Sequence, residues 1–280
     1  MRRRNACAGL AVFADRASAA LRSPPPVKAA EPVSSEALEI LSHYDYPPFV
    51  TGHAEGLSHD WADWLSTRLG IPAPGLHILP RKRLDLLMNQ PHWQGIVPWV
   101  IPEWFGDTDM QRYHWSPPVL EDADLVLSLR SSPVDELTPT RLRGLRFGAV
   151  LGHVYADMNG LIAQGRLRRE DALNTEQNLR KLLLGRVDFV FLSRSGLPWW
   201  LQKLPEFREQ LHVAATPRLH FQRRMLLSAQ LPAPLRGQLL DAIAHMHRDS
   251  AWQTALSRYG LEAQARLPGR SEHEPDQRQA

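Results

Sequence analysis

The chain has 280 residues, 43% of them hydrophobic and 22% charged, a globular balance long enough for one large domain or two lobes. No stretch approaches the roughly 20 apolar residues that span a bilayer, and the formal net charge is only +3 although the pI is near 9.2. The basic clusters Arg81-Lys82-Arg83, Arg166 to Arg169 and Arg223-Arg224 are short and dispersed. They read as solvated faces and argue against a nucleic-acid partner. The single cysteine, Cys7, excludes an intramolecular disulfide and a cysteine-based metal site.

The amino terminus begins with a basic Met1-Arg2-Arg3-Arg4, followed by a short apolar segment of small residues from Ala6 to Ala14. Ala17-Ser18-Ala19 has the small-x-small form that a signal peptidase accepts. Asp15-Arg16 interrupts the apolar segment, so the signal is weak and two readings stand: an export leader and an unstructured one. Arg4 occupies the place, three residues before Cys7, where a lipoprotein signal has an apolar residue, which argues against a lipid anchor. Residues 1–36 read as leader plus linker, with Pro24-Pro25-Pro26 inside it, and 266–280 read as a polar tail.

Between these ends the pattern alternates. Leu38 to His43 reads as a strand, and Leu57 to Leu69 as a helix with Leu57, Trp61, Trp64, Leu65 and Leu69 on one face and Ser58 as its cap. A strand follows at Leu76 to Leu79, a helix at Arg81 to Met88, and strands at Gly95 to Ile101 and Asp124 to Leu129. A second set comprises a strand at Arg146 to Leu151, a helix from Tyr155 toward Ala163, and a helix from Glu176 to Leu184 closed by Gly185. It continues with the apolar strand Asp188 to Leu192 and a helix at Trp199 to Leu204. Met225 to Ser228 reads as a strand returning to the first set, and Pro234 to Tyr259 as a long amphipathic helical region closed by Gly260. Strands alternating with helices predict parallel sheets flanked by helices, and two consecutive sets predict two α/β lobes.

In open α/β sheets ligands sit beyond the carboxyl ends of the strands. The stretch "YDYPPFV" stands at such an end. Pro47-Pro48 stops the strand ladder and is expected to hold Asp45 to Pro48 extended. Tyr46 and Phe49 are then either presented over a crevice or plugged into the core; the residues alone leave both open. Catalytic signatures are thin: there is no Gly-x-Ser-x-Gly elbow, phosphate loop or His-Glu-x-x-His. His245 and His247 fall on different helix faces and make a poor metal pair. Neither a catalytic residue, a metal site nor a cofactor is assigned.

The order of motifs resembles the family 3 extracellular solute-binding proteins, the two-lobed receptors of amino-acid-type ABC transporters. The stretches that carry it are "YDYPPFVTGHAEGLSHDWADWLSTRLG", "YHWSPPVLEDADLVLSLR", "LRGLRFGAVLGHVYADM", "NLRKLLLGRVDFVFLSRSG" and the final "AWQTALSRYG". The resemblance spans roughly residues 38 to 260 and implies the two-lobed periplasmic-binding-protein-like (type II) fold, each lobe a mainly parallel sheet. It implies a first lobe of 37–128 with 222–265, a second of 129–221, and a hinge near Ser128 and Phe221. It implies closure on a small-molecule solute, docking on ABC-transporter membrane subunits, periplasmic localisation and a monomer.

The family's zwitterion clamp is incomplete in this sequence. Arg112 lies too close to Ser116 to match the expected arginine; Trp99, Glu103 and Trp104 occupy that region. Gly152-His153-Val154-Tyr155 keeps the glycine of the second-lobe loop. Ser193, followed by Arg194, stands where an acidic residue is expected. A standard free amino acid is therefore not the expected ligand. The expected contacts are Tyr46, Phe49, Trp99, Glu103, Trp104, Gly152, His153, Tyr155, Ser193 and Arg194, favouring a flat, aromatic or sugar-like solute by stacking; Trp61, Trp64, Trp115 and Trp252 are assigned to packing. The alternatives are a dehydratase-like enzyme on the same fold and a degenerate receptor or sensor module.

Overall fold

A computed structural model describes residues 38–265, so the expectations for the leader, Cys7 and the tail lie outside the described residues. The first set of elements is β1 (Glu39–Ser42), α1 (Leu57–Leu69), β2 (Gly75–Ile78), α2 (Arg81–Met88), β3 (Gly95–Val100) and the short β4 (His114–Trp115). Strand β5 (Leu120–Leu129) leads to the second set: β6 (Arg146–Val150), α3 (Ala156–Ala163), β7 (Arg168–Ala172), α4 (Thr175–Leu183), β8 (Phe189–Ser193), α5 (Leu197–Lys203), α6 (Pro205–Gln210) and β9 (Leu211–Val213). Strand β10 (Leu219–Leu227) returns to the first set, followed by α7 (Ala233–His245) and α8 (Ser250–Ser257). Among the described residues no helix is long and apolar enough to cross a membrane.

The strands lie in the order β2-β1-β3-β10-β5-β8-β6-β7, with β4 on β10 and β9 on β5. Within each half the outer strands run parallel: β1 with β2 and β3, and β6 with β7 and β8. The antiparallel pairings belong to the two crossing strands. Leu219–Arg223 of β10 pairs with Asp124–Leu120 of β5; beyond a register shift between Arg224 and Leu226, β10 pairs with β3. Residues 124–128 of β5 pair with β8 on the strand's other side, so Asp124 is paired by both β10 and β8. Strand β10 passes from β5 to β3 between Arg223 and Arg224, and Ser128 is paired on both sides by β8 and β9.

Side-chain parity explains why the second half is covered on both faces. Alternate residues of a strand point to opposite sides. Leu125 and Leu127 of β5, with Val190 and Leu192 of β8, pack under Leu179, Leu182, Trp200 and Phe207. Val126 and Phe189, one residue out of phase, pack with Phe147, Met158 and Leu142 on the other face. In the first half, α1 lays Leu57, Trp61 and Leu65 inward, each at 0% exposure, and the Trp99 ring stacks on Trp252 at 6.1 Å and 10°.

Several local expectations are corrected. Ser58 does not cap α1. The helix opens from Gly56 at φ 127°, and the Ser58 hydroxyl accepts from Trp99 Nε1 at 3.1 Å in the core. A Cβ at Gly56 would stand 2.5 Å from the Phe49 carbonyl oxygen, so both backbone angle and space require glycine there. The region 234–259 is helical, as expected, in two helices. It breaks at a tight turn, Met246–Arg248, and Asp249 starts α8 by accepting from Ala251 N and Trp252 N. Residues 45–48 are not extended: Val50 N donates to Tyr46 O at 3.1 Å, closing a turn over a cis Pro47–Pro48 bond. The charged edge strand β7, together with β4, β9 and α6, carries no clear period in the sequence and was not expected.

Candidate functional site

The carboxyl ends of the strands in both halves converge at the crossing. From the first half comes the segment after β1. His43 and Tyr44 rings lie 4.1 Å apart, Tyr44 and Phe49 4.9 Å, and Tyr46 meets Tyr44 edge-on at 5.4 Å. After β3, the turn Pro102–Phe105 brings Trp104 to 5.1 Å from Phe221 of β10. Arg81 fixes that turn by donating Nη2 to the Trp104 carbonyl at 2.5 Å.

The second half contributes two loops. The one after β6 runs from Leu151 to Tyr155 and is held by Arg169, which donates to the Val150 and His153 carbonyls at 3.3 and 3.1 Å. The one after β8 is the turn Arg194–Gly196. A Cβ on Gly196 would stand 3.2 Å from the Pro47 carbonyl, so this turn abuts the Tyr46–Phe49 turn of the first half.

Two arginines of the returning segment organise the meeting line. Arg223, 1% exposed, donates Nε to Asp122 at 2.6 Å and Nη1 to the Trp99 carbonyl at 2.7 Å. Its guanidinium lies 5.1 Å from the Tyr44 ring centre, 4.8 Å from Phe49, 5.6 Å from Trp104 and 5.1 Å from Phe221. Asp122, 2% exposed, also accepts from the Ser195 backbone and hydroxyl at 3.0 and 2.7 Å. A chain of hydrogen bonds thus runs from β3 through both crossing strands to the loop after β8. Burial alone would lower Arg223, but the Asp122 carboxylate, with Tyr44 and Tyr46, offsets it and the guanidinium is held above its ordinary value.

Arg218 is arranged differently. It donates Nη1 to Asp124 at 2.8 Å and Nε and Nη2 to Asp157 at 2.8 and 2.5 Å, so one cation serves two carboxylates. Its guanidinium sits 4.7 Å from the Phe191 ring and 5.7 Å from Tyr155. Asp157 lies in the first turn of α3. Its carboxyl is held low by Arg218 against an opposing burial cost, with help from backbone N–H groups of Asp157 and Met158.

Four groups here combine solvent contact with a desolvated environment. His43, Tyr46 and Asp124 are partly exposed and His153 is exposed. Yet burial is the leading cause of a shift in each: His43 is lowered to about 3, His153 is lowered, Tyr46 is raised, and Asp124 is raised despite Arg218. The charges of His43 and His153, which belong to opposite halves, also act on each other.

The expected contact residues divide accordingly. Phe49 and Trp99, at 0% and 1% exposure, are enclosed in the first half, with rings 5.9 Å apart. Tyr46 and Trp104 are partly exposed at the edge of the ring cluster. Gly152 and His153 are exposed on the loop after β6; Tyr155 is 9% exposed and packs on Phe147 at 4.9 Å. Ser193 and Arg194 are partly exposed at the end of β8, and the Ser193 hydroxyl reaches Ser195 Oγ at 3.3 Å. Glu103 is exposed. Sequence reasoning does not single out Asp122, Asp124, Arg218, Arg223 or His43 for the site, and it places Phe221 only at the hinge. Arg223 does not belong to a solvated cluster with Arg224: it is buried, and its position two residues from Phe221, on a strand returning to an apolar sheet, is the signal that it points inward. No grouping of three or more metal-ligating side chains occurs among the described residues.

No protein-family model matches the sequence, and no curated protein matches it. Solved structures do match the fold. The arginine-, lysine-, histidine-binding protein ArtJ from Geobacillus stearothermophilus aligns with 17% identity and TM-score 0.59, over 80% of this chain and 95% of its own. The GluR0 ligand-binding core from Nostoc punctiforme, in complex with L-glutamate, aligns with 13% identity and TM-score 0.58, over 80% and 99%. An ancestral amino acid-binding protein described as a precursor of cyclohexadienyl dehydratase aligns with 13% identity and TM-score 0.55, over 80% and 95%. At these identities the likeness is one of fold: the chain has the two-lobed periplasmic-binding-protein-like architecture, and its neighbours are mainly binding proteins.

Proposed function

We propose that this protein is an exported solute-binding protein that captures a small solute between its two halves, in the periplasm, and delivers it to the membrane subunits of an ABC transporter. The observation that carries the reading is the meeting of the two halves at the crossing, where the turn after β8 abuts the Tyr46–Phe49 turn and Asp122 ties Arg223 to Ser195. The fold neighbours support binding rather than catalysis, and residues 1–36 carry a weak export signal. Tyr46, Trp104, His153, Tyr155, Ser193 and Arg194 are the proposed contacts, together with Asp124. Phe49 and Trp99 support the wall from behind, because neither has surface to offer a solute. Glu103 and Gly152 border it. The ligand is not a standard free amino acid.

The test is a thermal-shift screen over small metabolites, followed by small-angle scattering with each stabilising compound. Stabilisation with a smaller radius of gyration is expected, since a ligand that contacts both halves favours the closed population. Stabilisation without compaction, or no response to any compound, would overturn the reading. The dehydratase alternative, favoured by the ancestral neighbour alone, predicts turnover of a prephenate-like acid.

A further inference from the structure

The chain passes between the halves twice, along β5 and β10, which pair side by side over Leu120–Asp124 and Leu219–Arg223. A ribbon of two strands is a natural hinge, so contacts off the ribbon decide how firmly the halves are held. The segment leaving β8 makes such contacts. In the β5–β8 ladder Asp124 faces Ser193; two residues further on, Ser195 reaches Asp122 by way of the Asp122 side chain. Ser195 N donates to Asp122 Oδ1 at 3.0 Å and the Ser195 hydroxyl to Oδ2 at 2.7 Å. Ala123 N also donates to Oδ1 at 2.8 Å and Arg223 Nε to Oδ2 at 2.6 Å, so each carboxylate oxygen has two donors. Ser195 is 0% and Asp122 2% exposed, and hydrogen bonds to a charge are strong where water is excluded.

The same segment touches the first half at two further places. A Cβ on Gly196 would stand 3.2 Å from the Pro47 carbonyl oxygen, and one on Gly260 would stand 3.1 Å from Pro198 Cβ. Gly260 follows α8, which packs with the first half: the Trp252 ring stacks on Trp99, and the Tyr259 hydroxyl donates to Asp60 of α1 at 2.7 Å. Beyond Asp122, Arg223 carries the tie into β3. There Val100 faces Arg224 and Val97 faces Leu226, so Pro98 and Trp99 stand against Met225 alone, a bulge. Trp99 has φ 66°, a left-handed conformation that a bulky side chain rarely takes and that persists where its surroundings hold it. Arg223 Nη1 donates to the carbonyl of that residue at 2.7 Å. The bulge in β3 and the turn after β8 are therefore tied to the two ends of one buried ion pair.

We propose that the segment 193–198 is a clasp: Ser195 on Asp122 holds the two halves in the arrangement described, and its release lets them separate by bending of β5 and β10. Ser195 has no surface to offer a solute. It tunes affinity all the same, because the fraction of free protein with its halves together scales the apparent affinity of anything that binds both. That consequence rests on the solute-binding reading above; the clasp itself does not.

The test is a pulsed electron-spin distance measurement on the full chain with no solute added. Labels are placed at Leu86→Cys in α2 and Leu184→Cys just beyond α4, both exposed positions, with Cys7→Ser removing the one native thiol. The expected result is a single narrow distance with Ser195 intact. In Ser195→Ala a second distance should appear, its population raised about tenfold by the loss of one hydrogen bond to a charged acceptor. Gly196→Ala removes no hydrogen-bonding group but presses a methyl against the Pro47 carbonyl, and should shift the distribution the same way; it keeps the test open should Ser195→Ala fold poorly. An unchanged distribution in either folded variant, or a broad one already present with Ser195 intact, would overturn the clasp. Because the measurement uses no solute, its failure leaves the solute-binding reading standing, and a metabolite screen without response leaves the clasp standing.

Discussion

The two arginine sites at the crossing are built from the same parts and differ in completion. Arg223 has one carboxylate to itself, rings on several sides and 2% side-chain exposure against 0% for Asp122. Arg218 is divided between Asp124 and Asp157, at 10% exposure against 27% and 43%. The first is a finished buried pair whose role is to fix the crossing strands and the turn after β3. The second is unfinished, lies nearer the surface, and leaves a carboxylate under-neutralised. A completed site holds the fold in place; an incomplete one has chemistry left over for a ligand.

Breaking the completed site should have the larger effect on stability. Arg223→Met leaves Asp122 buried without its cation, and about 3 to 5 kcal/mol should be lost in denaturant unfolding. Adding Asp122→Asn should recover part of the loss, because the uncompensated charge is then gone. A single variant that unfolds with wild-type stability would mean the pair does not lock the crossing.

The two tryptophans around β3 sharpen the contrast. Trp99→Ala removes a 1%-exposed ring and orphans the Ser58 hydroxyl, so about 3 to 5 kcal/mol should be lost. Trp104→Ala, at a partly exposed position, should cost less stability in the same assay while weakening solute binding. Equal stability losses would place both rings in the core.

A pH effect of intermediate size follows from His43. Its folded value of about 3 lies below the ordinary 6.5, so between these values the unfolded chain binds the proton and the folded chain does not. Stability therefore rises with pH from about 3 to 6.5 and is flat above, with a slope of up to about 1.4 kcal/mol per pH unit, less solvent screening. His43→Phe should flatten that window in unfolding curves taken across it. The smallest effect belongs far from the crossing: Glu176→Gln breaks an exposed (i, i+4) pair with Arg180 and should change stability by no more than about 0.5 kcal/mol.

What was legible in the sequence follows the same division. Apolar spacing located α1 at Leu57–Leu69 and α2 at Arg81–Met88, because amphipathic helices write their buried face into the chain. The near-continuous apolar run located β8. The same kind of run located β3, where all of Gly95–Val100 is buried. Trp99 is expected at the cleft because it stands in the region where the resemblance places an arginine; a strand covered on both faces gives no alternation to say which side it takes, and the ring lies in the core. The arginine sites were illegible for another reason. Asp122, Asp124, Arg218 and Arg223 are brought together by pairing β5 with β10, across a separation that no local period encodes. Tyr46 and His153 could be named as expected contacts because each follows a strand's carboxyl end, where the fold class itself directs attention.

The central claim is that a solute seats between the halves, and hydrogen exchange tests it most directly. With a saturating amount of a compound that stabilises the protein, peptides covering the Tyr46–Phe49 turn and the Leu151–Tyr155 loop should gain protection together. Protection confined to one half, or found only away from the crossing, would contradict it.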